Sequence, residues 1–383
     1  MKMKILLFFI AFLVGADELM LGPILTPIGK DLGVAPERVT LYITAYSLAL
    51  ASIAPYLGAY SDRYGRLKIM IPACLLFGLA SIATGLVDNF EAGLITRIAT
   101  GLASAGMLPL AFALAADSSG EDAMKQIAWV QSGLTLGMIS SPALGAVLAE
   151  VLSWRAAFLL LGFCAWFVAA ALAYISMQKQ IPSQQAIEAK NAHHVGKVWQ
   201  IPGAAGALLA MCFGLGGGIG LFNLIGQHLK DTQGVSMWVI GSLYTILGCI
   251  SVIGNLLMPR LAKRLGNGRQ LMRIALGVCV IVSVWFYLLP TQSLYVLLFP
   301  LALWALAGGI GSPALQGYIA ELSTQHRGVL LSLAMTMMHL GVAMWSGVAG
   351  FAYTEGPIGM ALLAVVLFGV AMTALKPVPR NLA

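Results

Sequence analysis

The 383-residue chain is 59% hydrophobic and only 10% charged, with a mean hydropathy of +0.88. A soluble domain carries about 25% charged residues, so this composition excludes a water-exposed globular enzyme and indicates a polytopic membrane protein. The net charge of +7 does not signal nucleic acid, because the bases sit in short gaps between apolar runs, as topogenic charges do.

A membrane-crossing helix needs about 20 mainly apolar residues. Twelve such stretches follow one another, near 5–27, 39–60, 68–87, 92–116, 124–149, 154–176, 201–229, 237–261, 270–289, 294–320, 328–353 and 357–375. The predicted fold class is therefore an all-α membrane protein of twelve transmembrane helices. The first stretch follows Met1-Lys2-Met3-Lys4 without a convincing cleavage site and reads as a retained span. It holds Asp17 and Glu18 side by side near its middle. An unpaired ionised carboxylate at that depth costs on the order of 3 kcal/mol. Adjacent helical residues point about 100° apart, so the two acids are expected to do different jobs.

Between the second and third stretches lies Gly58-Ala-Tyr-Ser-Asp62-Arg63-Tyr-Gly65-Arg66-Leu-Lys68. This polar turn places an acid, glycines and several bases in eleven residues. The glycines permit a tight reversal, and Asp62 stands where it can meet the N-terminal dipole of a neighbouring helix and the adjacent guanidinium groups. The fourth stretch contains Arg97, the one base inside a span, which requires an acidic partner; Asp17 is the favoured one. The fifth carries Gly133, Gly137, Ser141, Pro142 and Gly145. Small residues four apart lay a groove down one helix face, and Pro142 bends the helix.

Residues 177–200 are polar and aperiodic and read as a linker between an N-terminal half, 1–176, and a C-terminal half, 201–383. The seventh stretch is rich in glycine from Gly214 to Gly220, which invites local unwinding, and continues through Phe222, Asn223 and Gln227. Ala262-Lys263-Arg264-Leu265-Gly266 echoes the first turn but has Lys263 where Asp62 stands. Pro109 and Asp117 are repeated by Pro313 and Glu321, so the halves read as a duplication, a transporter signature with the substrate near the midplane. The eleventh stretch carries His339. The five cysteines fall in apolar runs without ligand spacing and are expected to be buried, inert thiols; no metal and no cofactor is predicted. With both termini placed inside, Lys and Arg on that side outnumber those outside by 17 to 4, Arg97 lying within a span. The termini are therefore expected in the cytoplasm.

The turn Gly58-x-x-x-Asp62-Arg63-x-Gly65-Arg66-x-Lys68, set between the second and third of twelve spans, resembles the signature loop of the major facilitator superfamily. Arg97-x-x-x-Gly101 resembles that family's second motif. Gly133-x-x-x-Gly137-x-x-x-Ser141-Pro142-x-x-Gly145-Ala146 resembles the motif of its antiporters, with Ser141 and Ala146 in place of glycines. Glu18-Leu-x-x-Gly22 and the residues to Leu32 look like the drug, sugar and purine efflux branch. The resemblance covers the whole chain and implies two pseudo-symmetric six-helix halves. It implies that Gly58, Asp62, Arg63, Gly65, Arg66 and Lys68 latch the halves when the outside is open, and that Arg97 faces the cavity and tunes a carboxylate. Glu18, at the branch's acidic position, is favoured for proton exchange, with Asp17 the alternative.

Tyr42, Tyr46, Gln131, Phe222, Asn223, Gln227 and His339 are candidate substrate contacts from their depth. The expected function is export of small organic molecules in exchange for protons by alternating access, from a monomer in the cell inner (cytoplasmic) membrane with no nucleic-acid partner. The alternative is a proton-coupled importer or facilitator of a small metabolite. An ATP-driven pump lacks its phosphate-binding loop, and a membrane enzyme or receptor lacks a catalytic constellation or signalling domain.

Overall fold

A computed structural model of the chain describes residues 2–34, 36–118, 121–178, 195–235, 237–288 and 293–375. Among these residues the secondary structure is helical throughout, and twelve helical segments are long and apolar enough to cross a membrane. Spans 1 to 3 are Lys2–Asp31, Leu41–Tyr64 and Arg66–Leu86. Span 4 comprises Phe90–Ala105 and Leu108–Ala116. Spans 5 and 6 are Glu121–Val151 and Trp154–Gln178. Span 7 comprises Ala204–Leu209, Ala210–Gly216 and Gly217–Asn223. Spans 8 to 12 are Met237–Leu265, Gly268–Leu288, Leu294–Glu321, Arg327–Thr354 and Gly356–Ala374.

These helices are apolar on nearly all sides, which suits a span in lipid better than a stripe against a core. Large side chains such as Phe167, Ile95 and Ile281 stand at the surface. Prolines persist inside many of the helices, as membrane helices tolerate. The ends are set by local chemistry. Asn89 accepts a hydrogen bond from the Ala92 amide (2.8 Å) and caps span 4. Gly65 and Gly266 close spans 2 and 8 at φ of 100° and 111°, a region open to glycine. Each donates its N–H four residues back, to Ser61 (3.0 Å) and Ala262 (3.1 Å). The sequence echo between these turns is thus a structural repeat.

Two stretches differ from a plain helix. Span 4 breaks at Gly106–Met107, one turn before Pro109, which has no N–H to continue the ladder. The glycine-rich part of span 7 does not unwind; Ala210–Gly216 forms a π-helix. Its backbone is held by span 11: a Cβ on Gly216 would lie 2.6 Å from the Met338 oxygen, and one on Gly341 would collide with the Cys212 oxygen. The cysteines are free thiols, but Cys164 and Cys249 are exposed rather than buried. In an all-apolar helix, hydrophobicity does not say which face is inside.

The described residues divide into two compact units. The first draws on 1–118, 129–195 and 324–332, the second on 119–128, 196–323 and 333–383. Each unit therefore includes the opening turns of a span whose remainder belongs to the other. Most of the expected linker, 179–194, lies outside the described residues. In the first unit, span 2 packs along span 4 around Tyr46, Leu50, Ala54 and Ala105. In the second, spans 8 and 9 both pack along span 10, with Ala128, Met258, Ala262, Leu271 and Ala314 forming one cluster.

Candidate functional site

The first unit holds a buried charged site on spans 1 and 4. Arg97 is 1% exposed and Asp17 is fully buried. Arg97 donates from Nη1 to Asp17 Oδ1 at 2.7 Å. The guanidinium carbon lies 4.9 Å from the centroid of the Tyr46 ring and 5.7 Å from that of Phe158. Arg97 is thus held by a charge-assisted hydrogen bond and by two aromatic faces. Glu18, one residue on from Asp17, is half-buried and points in a different direction around the helix.

Span 5 fixes the position of span 1. A Cβ on Gly133 would collide with the carbonyl oxygen of Phe8, and one on Gly137 with that of Phe12. One on Gly145 would come within 2.9 Å of Met20 Cγ. Ser141, between them, is buried. Gly133, Gly137 and Gly145 are therefore the seat of the helix that carries Asp17 and Glu18, and Pro142 beside them is half-buried.

The other candidates of the first unit are mostly enclosed. Tyr42 is fully buried, donates its hydroxyl to the Phe90 carbonyl (3.0 Å) and stacks on the Phe90 ring. Tyr46 lies beneath Arg97 and is 1% exposed. Neither ring is accessible here, because both serve contacts between spans 2 and 4 that depth alone does not reveal. Gln131 is buried on span 5. In the second unit, Phe222 meets the rings of Tyr244 and Trp304 edge-on, and Tyr244 donates to the Phe222 carbonyl (2.9 Å). Asn223 is exposed and His339 half-buried. The Gln227 side chain lies outside the described residues.

A second polar cluster lies at the turn between spans 2 and 3. Asp62 accepts from the Gly328 amide through Oδ1 (2.9 Å) and from the Val329 amide through Oδ2 (3.0 Å). These are first-turn amides of span 11, which have no partner within their own helix. Arg66 pairs with Asp62, donates to Ser61 Oγ (2.9 Å) and reaches Asp117 Oδ2 (3.3 Å). Arg327 donates to Asp117 Oδ1 at 2.7 Å. Gly58 lets the segments meet: a Cβ there would lie 2.5 Å from the Gly328 oxygen. All these residues belong to the first unit.

Arg63 and Lys68 stand outside this network. Arg63 stacks on Tyr64, and both bases are exposed. Arg63 is turned about 100° from Asp62 on span 2, whereas Arg66 opens span 3 beyond the Gly65 turn and reaches back to Asp62. Asp117 and Arg327 were not legible as members of the cluster. Asp117 stood out in the repeat, but nothing in the sequence pairs it with a base 210 positions away. Among the described residues no group of histidines, cysteines and acids is placed to hold a metal ion.

Comparison with known proteins places this geometry in context. Residues 7–346 match the family model of the Major Facilitator Superfamily. The chain is 23% identical over 382 residues to the uncharacterized MFS-type transporter YceJ of Bacillus subtilis, covering 99% of this chain and 97% of that protein. It is 28% identical over 356 residues to the bacillibactin exporter of the same organism, covering 85% and 83%. Among solved structures it resembles the MFS transporter FucP in the outward conformation, with a TM-score of 0.79, 13% identity and coverage of 98% and 97%; that likeness shows the fold.

Proposed function

Because the chain belongs to the major facilitator superfamily, we propose that it is a secondary active transporter that exports a small organic molecule in exchange for protons. One observation carries the reading: Arg97 engages Asp17 in a dry ion pair while the adjacent Glu18 points elsewhere on the same helix. The pair has a fixed job, since separating it strands a buried charge at a cost of about 3–5 kcal/mol. Glu18 is therefore the proton carrier, and the Asp17–Arg97 pair is the fixed charge background against which it titrates. Span 5 limits the freedom of span 1, so that a change in charge at Glu18 acts on the whole helix rather than on one side chain. Kinship with a protein named as an exporter supports the outward direction.

In this reading the protein works as a monomer in the bacterial inner membrane with both termini cytoplasmic. Its two halves rock about a midplane site, and the Asp62 cluster favours one of the alternating states. The coupling is energetically sufficient. One proton moving through 100 mV supplies about 2.3 kcal/mol, which sustains roughly a fiftyfold substrate gradient. The test is reconstitution into vesicles with an imposed pH gradient and a panel of neutral, cationic and anionic amphiphiles. The wild type should drive one class of them uphill, and Glu18→Gln should abolish uphill movement while leaving downhill exchange. Proton-driven accumulation by Glu18→Gln would refute the assignment.

A further inference from the structure

In the second unit, exposed arginines lie on either side of the turn between spans 8 and 9, and both helices carry exposed apolar side chains. From residue 237 to residue 320 the chain has five bases, Arg260, Lys263, Arg264, Arg269 and Arg273, and no aspartate or glutamate. All five lie on the last turns of span 8 or the first turns of span 9, on either side of Gly266. Arg269 is half-buried and hydrogen-bonded with Tyr318, near Glu321. Arg260, Arg264 and Arg273 are exposed.

Their helix phase matters more than their number. Ile246, Ile253, Arg260 and Arg264 fall 0, 7, 14 and 18 residues along span 8, which places them within about 40° of one another around the axis. Both isoleucines are more than half exposed. On span 9, Ile274, Ile281 and Leu288 fall within about 40° of one another and are exposed, and exposed Arg273 stands beside that track at the same end as Arg260 and Arg264. Each helix thus presents an apolar track that ends in guanidinium groups, at the end the charge asymmetry assigns to the cytoplasm. The equivalent turn of the first unit is built otherwise: Arg66 is turned inward onto Asp62 and Asp117.

We infer that the face formed by spans 8 and 9 binds an anionic phospholipid, its phosphate held by Arg260, Arg264 and Arg273 and its acyl chain laid along Ile253, Ile246 and Ile281. The chemistry fits on two counts. Guanidinium forks match phosphate oxygens in two-point hydrogen bonds, and bases clustered beside a span attract anionic headgroups. Topogenic charge alone requires bases near the membrane, but it does not require Arg260 and Arg264 to lie in phase with the apolar track of their helix.

The experiment is native mass spectrometry of the purified full chain equilibrated with equal amounts of phosphatidylglycerol and phosphatidylcholine. Each base near an anionic surface weights binding by roughly fivefold. Wild type should therefore retain phosphatidylglycerol over phosphatidylcholine by about tenfold or more. The triple variant R260Q/R264Q/R273Q should fall close to parity, and R260K/R264K/R273K should keep most of the preference. A matched thermal melt verifies that the variants are folded. If the triple Gln variant does not fold, R264Q alone should lower the preference severalfold. No preference in the wild type, or a preference untouched by removing the arginines, overturns the proposal. So does displacement of the lipid by millimolar inorganic phosphate, which would make the strip a site for free anions.

Discussion

Replacing Asp62 with Asn should unfasten the first turn of span 11 and leave the fold intact. Asp62 caps span 11 from another helix: the Gly328 and Val329 amides each find a carboxylate oxygen at 2.9 and 3.0 Å. Asn keeps one acceptor and turns an NH2 group toward the second amide. The change removes one charge-assisted hydrogen bond, worth about 1.5–3 kcal/mol, and an anion from a helix N-terminus, worth about 0.3–2 kcal/mol. Arg66 keeps Asp117, and Arg327 keeps Asp117, so the cluster is not dismantled. A net loss of about 3 kcal/mol corresponds to roughly 100-fold more frequent opening of this turn. Hydrogen exchange read by mass spectrometry measures it without knowledge of the substrate. The peptide spanning 324–332 should exchange about 100-fold faster in Asp62→Asn, while peptides from spans 9 and 12 stay at wild-type rates. Transport should fall, with the thermal midpoint nearly unchanged. Wild-type protection of 324–332 in the variant would show that Asp62 does not hold span 11.

Other substitutions separate the roles of the buried site. Asp17→Asn strands Arg97 and should cost about 3–5 kcal/mol of stability, whereas the double variant with Arg97→Gln should recover part of the loss; strictly additive losses in denaturant titrations would argue against the pair. Glu18→Gln should lose pH-driven uphill transport at near wild-type stability, and a large loss of stability would make Glu18 a structural residue. Gly137→Ala drives a methyl into the Phe12 carbonyl and should cost about 1–3 kcal/mol. Gly277→Ala, whose nearest neighbour would be Met372 Sδ at 4.0 Å, should be neutral or stabilising. Equal melting behaviour of these two variants would remove the claim that span 5 seats span 1.

The sequence disclosed what depends on composition and local chemistry. About 20 apolar residues in a row have little alternative to a membrane helix, so the twelve spans were legible. Asp17 was legible as the partner of Arg97 because few acids were available at that depth. What escaped depended on helix phase and distant pairing. In a soluble helix, polarity marks the outer face; here both faces are apolar, so nothing distinguished enclosed Tyr42 and Tyr46 from cavity-lining residues, or exposed Cys164 from buried Cys74. The capture of Gly328 by Asp62 joins positions 266 apart, a contact that no periodicity encodes. The π-helical segment of span 7 answers to the backbone of span 11, whereas glycine content predicted only weakness.

The two repeated turns share a backbone frame and differ in what their side chains meet. Gly65 and Gly266 end their helices in the same conformation and with the same hydrogen bond, so the backbone frame survived in both copies. The side chains diverged. In the first unit Ser61 and Asp62 face the opening turns of span 11, and the contact is ionic and made to backbone amides. In the second, Ala262 and Met258 pack through apolar side chains with Ala128 in the opening turns of span 5. A carboxylate cap depends on geometry within a few tenths of an ångström, whereas apolar contact tolerates sliding. A shift of span 11 relative to Asp62 therefore breaks its fastening abruptly, and a comparable shift of span 5 in its seat costs little at each step. Placing Asp at the second turn, in Lys263→Asp, should not create a matching cap, because Met258 and Ala262 meet Ala128 through apolar side chains. Faster loss of exchange protection at 324–332 than at the start of span 5 on mild destabilisation would bear this out, and simultaneous loss at both would refute it.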